Sequence, residues 1–299
     1  MQFPSAYRRS AAAFAAATTL ILSGASTPAF AAQNPVNYVN LGDSYSSGWG
    51  SLAPTADVNP AFGSPACLHG GPDDVALFDQ LQSVALTGDY ACAGATVGAT
   101  TSGIPTIAQQ AAKASLDGAL NSTTGLVTLT AGGNDVNFGQ LIAACAADTS
   151  PTATECQAAT AYGLGLANNV DVAGTVGTIR GFAGNAKIAW LGYPRLFATA
   201  GESTTVTAGG GVMSAAAAAV FDNGTDQLNA VLAGKARDAG AQFVDVAPKF
   251  NGHEIGSSAS WFNLGPYAQF NFHPTYDGYA QGYYPAMVSA IKPAQLAKG

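Results

Sequence analysis

Four residues of this chain have the types that acyl transfer could use: a hydroxyl, a base, and hydrogen-bond donors for a developing oxyanion. Ser44 sits in Gly42-Asp43-Ser44-Tyr45-Ser46, just past the strand-like run Val36–Leu41. Asp and Ser are preferred helix caps, so Ser44 reads as the start of a helix, a position that also favours negative charge and suits a nucleophile. The run is not the G-x-S-x-G elbow of the ordinary α/β-hydrolases. Asn134, in Gly132-Gly133-Asn134-Asp135, follows a second strand-like run, Gly125–Thr130. These residues suit a turn, and the Asn134 amide also suits donation to an oxyanion. Gly94, two residues after Cys92, offers a backbone N–H that a ligand can approach closely.

Three histidines compete for the role of base. His69 lies in a loop rich in Gly and Pro, and His253 follows the strand-like run Ala241–Ala247. His273 precedes Pro274, which pushes its backbone toward the extended region, and it stands just before the last predicted helix. That placement makes His273 the favoured partner of Ser44.

The elements that must position these residues alternate along the chain. Val36–Leu41, Gly125–Thr130, Ala186–Gly192 and Ala241–Ala247 read as strands buried on both faces. Between them the sequence predicts helices over Pro105–Leu116, Phe138–Ala147, an Ala-rich stretch from about Ala153 to Phe182, and Ser214–Asp238. A last helix is expected over Tyr279–Ile291, and the Gly-rich Thr207–Ser214 is expected to be a loop. Such alternation argues for an α/β fold with a parallel sheet and helices on both faces. In that architecture the active crevice forms outside the carboxyl ends of the strands, where Ser44 and Asn134 fall.

The first 31 of the 299 residues read as an export signal: Arg8 and Arg9, an apolar core, and small residues at Ala29 and Ala31. Cleavage after Ala31 would leave residues 32–299 as one catalytic domain. The remaining nine basic and eighteen acidic residues give a net charge of −9, and no basic cluster exists to neutralise phosphates. Nucleic acid is therefore excluded as a partner. No later run approaches the roughly 20 apolar residues of a membrane helix. Four cysteines, Cys67, Cys92, Cys145 and Cys156, favour disulfides in an exported chain. Of three possible pairings, sequence proximity favours Cys67–Cys92 and Cys145–Cys156. No metal-ligand spacing is present, and neither a metal nor an organic cofactor is expected.

Taken in order, Gly42-Asp43-Ser44, Gly94, Gly132-Gly133-Asn134-Asp135 and Phe272-His273-Pro274 resemble the blocks of the GDSL-type serine esterases, the SGNH hydrolases. The chain is most similar to the secreted actinomycete lipases and esterases of that family, whose cysteine layout matches the favoured pairs. The resemblance implies a three-layer α/β/α sandwich of flavodoxin-like type, with a central parallel sheet of about five strands. It implies Ser44 as nucleophile and His273 as general base, then acid. The N–H groups of Ser44 and Gly94 with the Asn134 amide would form the oxyanion hole. Two positions depart from the family. Phe270 stands where most members place the Asp that orients the histidine, so its backbone carbonyl is expected to accept the Nδ1–H instead. The Asn271 and Asp277 side chains rank below it. Gly256 stands where related lipases tend to carry a cysteine of a third disulfide.

The expected activity is hydrolysis of lipid or other small-molecule esters by a secreted monomer. Trp49, Leu52, Phe62, Trp261 and Phe262 are candidates for an apolar acyl groove. Alternatives within the class are a polysaccharide acetyl esterase, a phospholipase A1 or a polyester esterase. An alternative from another class is a secreted binding protein that kept the fold without catalysis.

Overall fold

Five parallel strands form the central sheet: β1 (Val36–Gly42), β2 (Val84–Asp89), β3 (Thr124–Thr130), β4 (Lys187–Leu191) and β5 (Gln242–Val244). The computed structural model describes residues 34–98, 103–198, 204–206 and 211–298. The strand order is β2-β1-β3-β4-β5. This is the doubly wound order in which the chain leaves β1 for one neighbour and returns to the other, opening a crevice at the strands' carboxyl ends. Ser44 follows β1 and Asn134 follows β3, so both border that switch point.

Hydrophobic burial explains the central strands. Tyr38, Val39 and Leu41 of β1, Leu126, Val127 and Leu129 of β3, and Ile188 and Trp190 of β4 are buried. Alternate residues point to opposite faces, so apolar character at consecutive positions requires cover on both. Helices α2 (Ile107–Leu116), α5 (Val172–Phe182) and α6 (Ala215–Asp238) pack side by side, and α1 (Asp74–Asp79) packs with α7 (Tyr284–Ile291). Helices α3 (Phe138–Ala147) and α4 (Thr154–Ala167) pack on each other and on α6. The described residues make one compact α/β/α unit, and among them no helix is long and apolar enough to cross a membrane. Residues 1–31, read as an export signal, lie outside the described residues.

Four local expectations are revised. No helix starts at Ser44: residues 44–54 wind through turns, because Gly48 (φ +64) and Gly50 (φ +92) take left-handed conformations that break a helix. The Ala-rich stretch divides into α4 and α5 where Asp171 caps α5 by accepting from the Gly174 N–H at 2.8 Å. The last helix begins as a π-turn, Gly278–Tyr283, before the α-helical Tyr284–Ile291; Pro285 has no N–H to give to the preceding turn. Within the Gly-rich stretch expected to be a loop, Gly211–Met213 is a strand antiparallel to Thr204–Val206. Residues 207–210 lie outside the described residues.

Cys67 is bonded to Cys92 and Cys145 to Cys156. The first bridge holds the loop leading to Gly94 against the short antiparallel ribbon of Asp57–Val58 and Leu68–His69, helped by the Ala93 N–H donating to the Leu68 carbonyl at 2.8 Å. The second joins the end of α3 to the start of α4.

Candidate active site

Ser44 and His273, 229 residues apart, meet at the carboxyl edge of the sheet, with Ser44 Oγ 2.9 Å from His273 Nε2. The other ring nitrogen, Nδ1, lies 3.0 Å from the Asn271 carbonyl. A carbonyl only accepts, so Nδ1 carries the proton of the neutral ring, and Nε2 presents its lone pair to the Ser44 hydroxyl.

The orienting carbonyl is thus Asn271, not Phe270 as the sequence predicted. The Phe270 carbonyl accepts the His273 backbone N–H at 3.2 Å and supports the ring's charge only second to Asn271. The reason is the turn itself. Phe272 adopts φ +68, a conformation bulky side chains rarely take, and this turns the chain so that the carbonyl two residues before His273 faces the ring. The turn is pinned from three sides. Tyr45 Oη donates to the Phe272 carbonyl at 2.7 Å, the Phe272 N–H donates to the Asn263 carbonyl at 3.0 Å, and Asn263 Nδ2 donates to the His273 carbonyl at 3.1 Å. Neither side chain ranked below Phe270 replaces it: Asn271 Oδ1 accepts from the Gly265 N–H and Asp277 Oδ1 from Gln281. Phe270 instead packs on Trp49, ring centroids 4.8 Å apart.

Burial is the largest influence on His273 and lowers its pKa from 6.5 to about 4, against the upward pull of the Asn271 and Phe270 carbonyls. The neutral ring is the competent base, so activity persists above that value and is lost as pH falls through it. At pH 5, about nine-tenths of the ring is neutral, against about 3% for an unperturbed imidazole. The kcat/KM profile on a nitrophenyl ester should therefore show an acid limb near pH 4. A limb near 6.5 would mean that the ring is hydrated in the free enzyme.

The nucleophile's loop is held by a buried carboxylate. Asp43 Oδ1 accepts from the Tyr45 N–H at 3.0 Å and from Thr130 Oγ1 at 2.5 Å, while Oδ2 accepts from Tyr193 Oη at 2.5 Å. Burial raises the Asp43 pKa, and hydrogen bonds from Thr130, Tyr193 and Tyr45 oppose this. Tyr193 Oη also accepts the Gly133 N–H at 2.9 Å, so one phenol ties the Ser44 loop to the Asn134 loop. Sequence reasoning missed Tyr193. Its signal was its place just past β4, at the same carboxyl edge.

Three donors remain for an oxyanion. Asp43, Tyr45, Ala93 and Ala95 all donate their N–H groups within the protein, whereas among the described residues those of Ser44 and Gly94 meet no protein acceptor. Asn134 Nδ2 spends one hydrogen on the Ala95 carbonyl at 2.8 Å, which ties Asn134 to the Gly94 loop and leaves its second hydrogen available. Asp135 braces the same loop, accepting from the Val97 and Gly98 N–H groups at 3.0 and 2.8 Å.

Ser44, Asn134 and His273 line one cleft of about 210 Å³, with Tyr45, Phe138, Tyr193, Leu196 and Leu228 among its apolar walls. None of the five aromatic or aliphatic residues expected to form an acyl groove lines it. Trp49 and Phe262 are buried, Phe62 packs on Tyr90, and Leu52 is exposed elsewhere. Trp261 stacks on His253 at 3.5 Å, and His253 Nδ1 pairs with the Ala259 carbonyl at 2.8 Å. His253 thereby braces the loop around Gly256 that has no cysteine. His69 Nδ1 pairs with the Gly70 carbonyl, away from the cleft.

The doubly wound sheet and the Ser–His pair at its carboxyl edge define the chain as a serine ester hydrolase of the SGNH type. Residues 41–281 match the GDSL-like lipase/acylhydrolase family, and the chain belongs to it. It is 32% identical over 282 residues to Lipase 1 of Streptomyces coelicolor, covering 90% of this chain and 92% of that one. It is 32% identical over 289 residues to a lipase of Streptomyces rimosus, covering 95% and 98%. Among solved structures, the S. rimosus extracellular lipase superposes with a TM-score of 0.66 at 28% identity, covering 85% of this chain and 99% of that one. A phospholipase A1 from Streptomyces albidoflavus gives 0.65 at 30%, covering 85% and 98%.

Proposed function

We infer that this protein is a secreted, monomeric lipid esterase in which Ser44 is the nucleophile and His273 the general base, without a cofactor. The single observation that carries the reading is the Ser44 Oγ–His273 Nε2 contact of 2.9 Å, with Nδ1 held by the Asn271 carbonyl. His273 takes the Ser44 proton as Oγ attacks the ester carbonyl. The carbonyl oxygen becomes an oxyanion facing the N–H groups of Ser44 and Gly94 and the Asn134 amide. His273 returns the proton to the leaving alcohol, and an acyl-enzyme on Ser44 remains. Water, deprotonated by the same ring, then releases the acid. A base of low pKa suffices because the oxyanion forming beside the ring favours its protonated state during the reaction.

Export is supported by the leader-like residues 1–31, by two disulfides among the described residues and by the extracellular lipase of S. rimosus among its relatives. Every group in the reaction comes from one chain, which fits a monomer. A fatty-acyl substrate is supported by the lipase relatives and by the apolar walls of the cleft. The phospholipase A1 among the similar structures favours a second reading in which the ester belongs to a phospholipid. Labelling with a fluorophosphonate tests the chemistry common to both readings. The expected result is one adduct, mapped to the peptide containing Ser44. No adduct on the folded protein would return the non-catalytic binding protein as the better account.

A further inference from the structure

Behind the cleft, helices α3, α4 and α6 enclose a second, almost wholly apolar recess. It shares Phe138, Thr225 and Leu228 with the cleft that holds Ser44 and His273. On its far side it shares Thr160 and Leu164 with a shallow groove on the outer surface between α4 and α6. Three spaces therefore lie in series, separated by a few side chains. The far wall is close by construction: Gly224 of α6 faces Thr160 of α4, and a Cβ on Gly224 would lie 2.4 Å from Thr160 Cγ2. The Thr160 hydroxyl is buried and has no hydrogen-bond partner, so an apolar side chain in its place would leave no partner unpaired.

We propose that this recess receives the distal part of the substrate's acyl chain, and that Thr160 and Leu164 set the longest chain it admits. The inference rests on the esterase reading above and names the part of that site that selects substrate. An apolar recess that borders the nucleophile's cleft across Phe138, Thr225 and Leu228 offers an alkyl tail release from water but offers a glycosyl or peptide group only the Thr160 and Thr225 hydroxyls. Each methylene that enters should raise kcat/KM about fourfold. The gain stops where the chain meets Thr160 and Leu164.

Nitrophenyl acetate, butyrate, octanoate and palmitate, hydrolysed by the wild type and by two variants, test this. Thr160→Leu gives up no hydrogen bond and fills the recess. It should lower the octanoate-to-butyrate ratio of kcat/KM by about four- to fifteenfold, the worth of one to two methylenes. Leu164→Ala opens the recess toward the outer groove and should raise the palmitate-to-octanoate ratio by a similar factor. The opposite directions separate a change of pocket depth from a general loss of folding, which would move no ratio. Wild-type hydrolysis of all four esters with no chain-length trend, or trends that neither variant shifts, would overturn the acyl recess and leave the esterase reading standing. Failure of the wild type to hydrolyse any ester would instead overturn the esterase reading, and the recess with it.

Discussion

Ser44→Ala and His273→Ala should each lower kcat by about four to six orders of magnitude, and the double variant should be no slower than either alone. The expectation follows from the 2.9 Å contact between Oγ and Nε2. A hydroxyl without a base at that distance stays protonated, and a base without the hydroxyl has nothing to activate, so the two act as a unit. Both substitutions shorten side chains that face the cleft, so near-native thermal unfolding should accompany the loss. The measurement is kcat on a short nitrophenyl ester for all three variants, with circular dichroism to check the fold. A His273→Ala enzyme keeping a tenth of its activity would show that the Asn271–His273 arrangement does not serve catalysis. Additive losses in the double variant would likewise contradict a coupled pair.

Asn134→Ala is the second large effect: a fall in kcat of about a hundred- to a thousandfold, with KM little changed. Ground-state binding asks little of an oxyanion donor, because the ester carbonyl carries much less charge than the oxyanion that replaces it. Asn134 has one amide hydrogen committed to the Ala95 carbonyl and one left for the substrate. The variant therefore also loosens the Gly94 loop, but Asp135 still holds that loop through the Val97 and Gly98 N–H groups. The lost tether should cost about 1 kcal/mol of stability, well short of unfolding. Steady-state kinetics separate the two roles. A rise in KM with unchanged kcat would assign Asn134 to substrate binding, and no change in either would remove it from the oxyanion hole.

Much of this site was legible in the chain because it is written in local, side-chain terms. A nucleophile after β1, a Gly-Gly-Asn-Asp turn after β3 and a His-Pro before the last helix each declare themselves by residue type and position. The strands of the middle of the sheet were equally plain, since burial on both faces leaves an unbroken apolar run. The edge strand Val84–Asp89 was not, because its tail Thr87-Gly88-Asp89 has neither an apolar run nor an apolar alternation. The helix expected at Ser44 failed for a related reason. Asp and Ser cap turns as well as helices, and Gly48 and Gly50 decide between them only through the conformations they take.

By itself the sequence determined the class of fold, the chemistry of the nucleophile and base, and the loops that would carry them. Periodicity, capping and turn chemistry act over a few residues, and those features need no more than that. Only the tertiary structure decided which carbonyl orients His273, because a backbone carbonyl has no side-chain signature and its direction depends on φ at Phe272. Only the tertiary structure brought Tyr193 onto Asp43 and Gly133, from residues 150 and 60 positions away. And it moved the apolar walls of the cleft from the aromatic loops to α3 and α6. Apolar residues bury themselves wherever packing allows, so their number along a chain says that a core exists, while helix against helix decides where the core leaves room for a substrate.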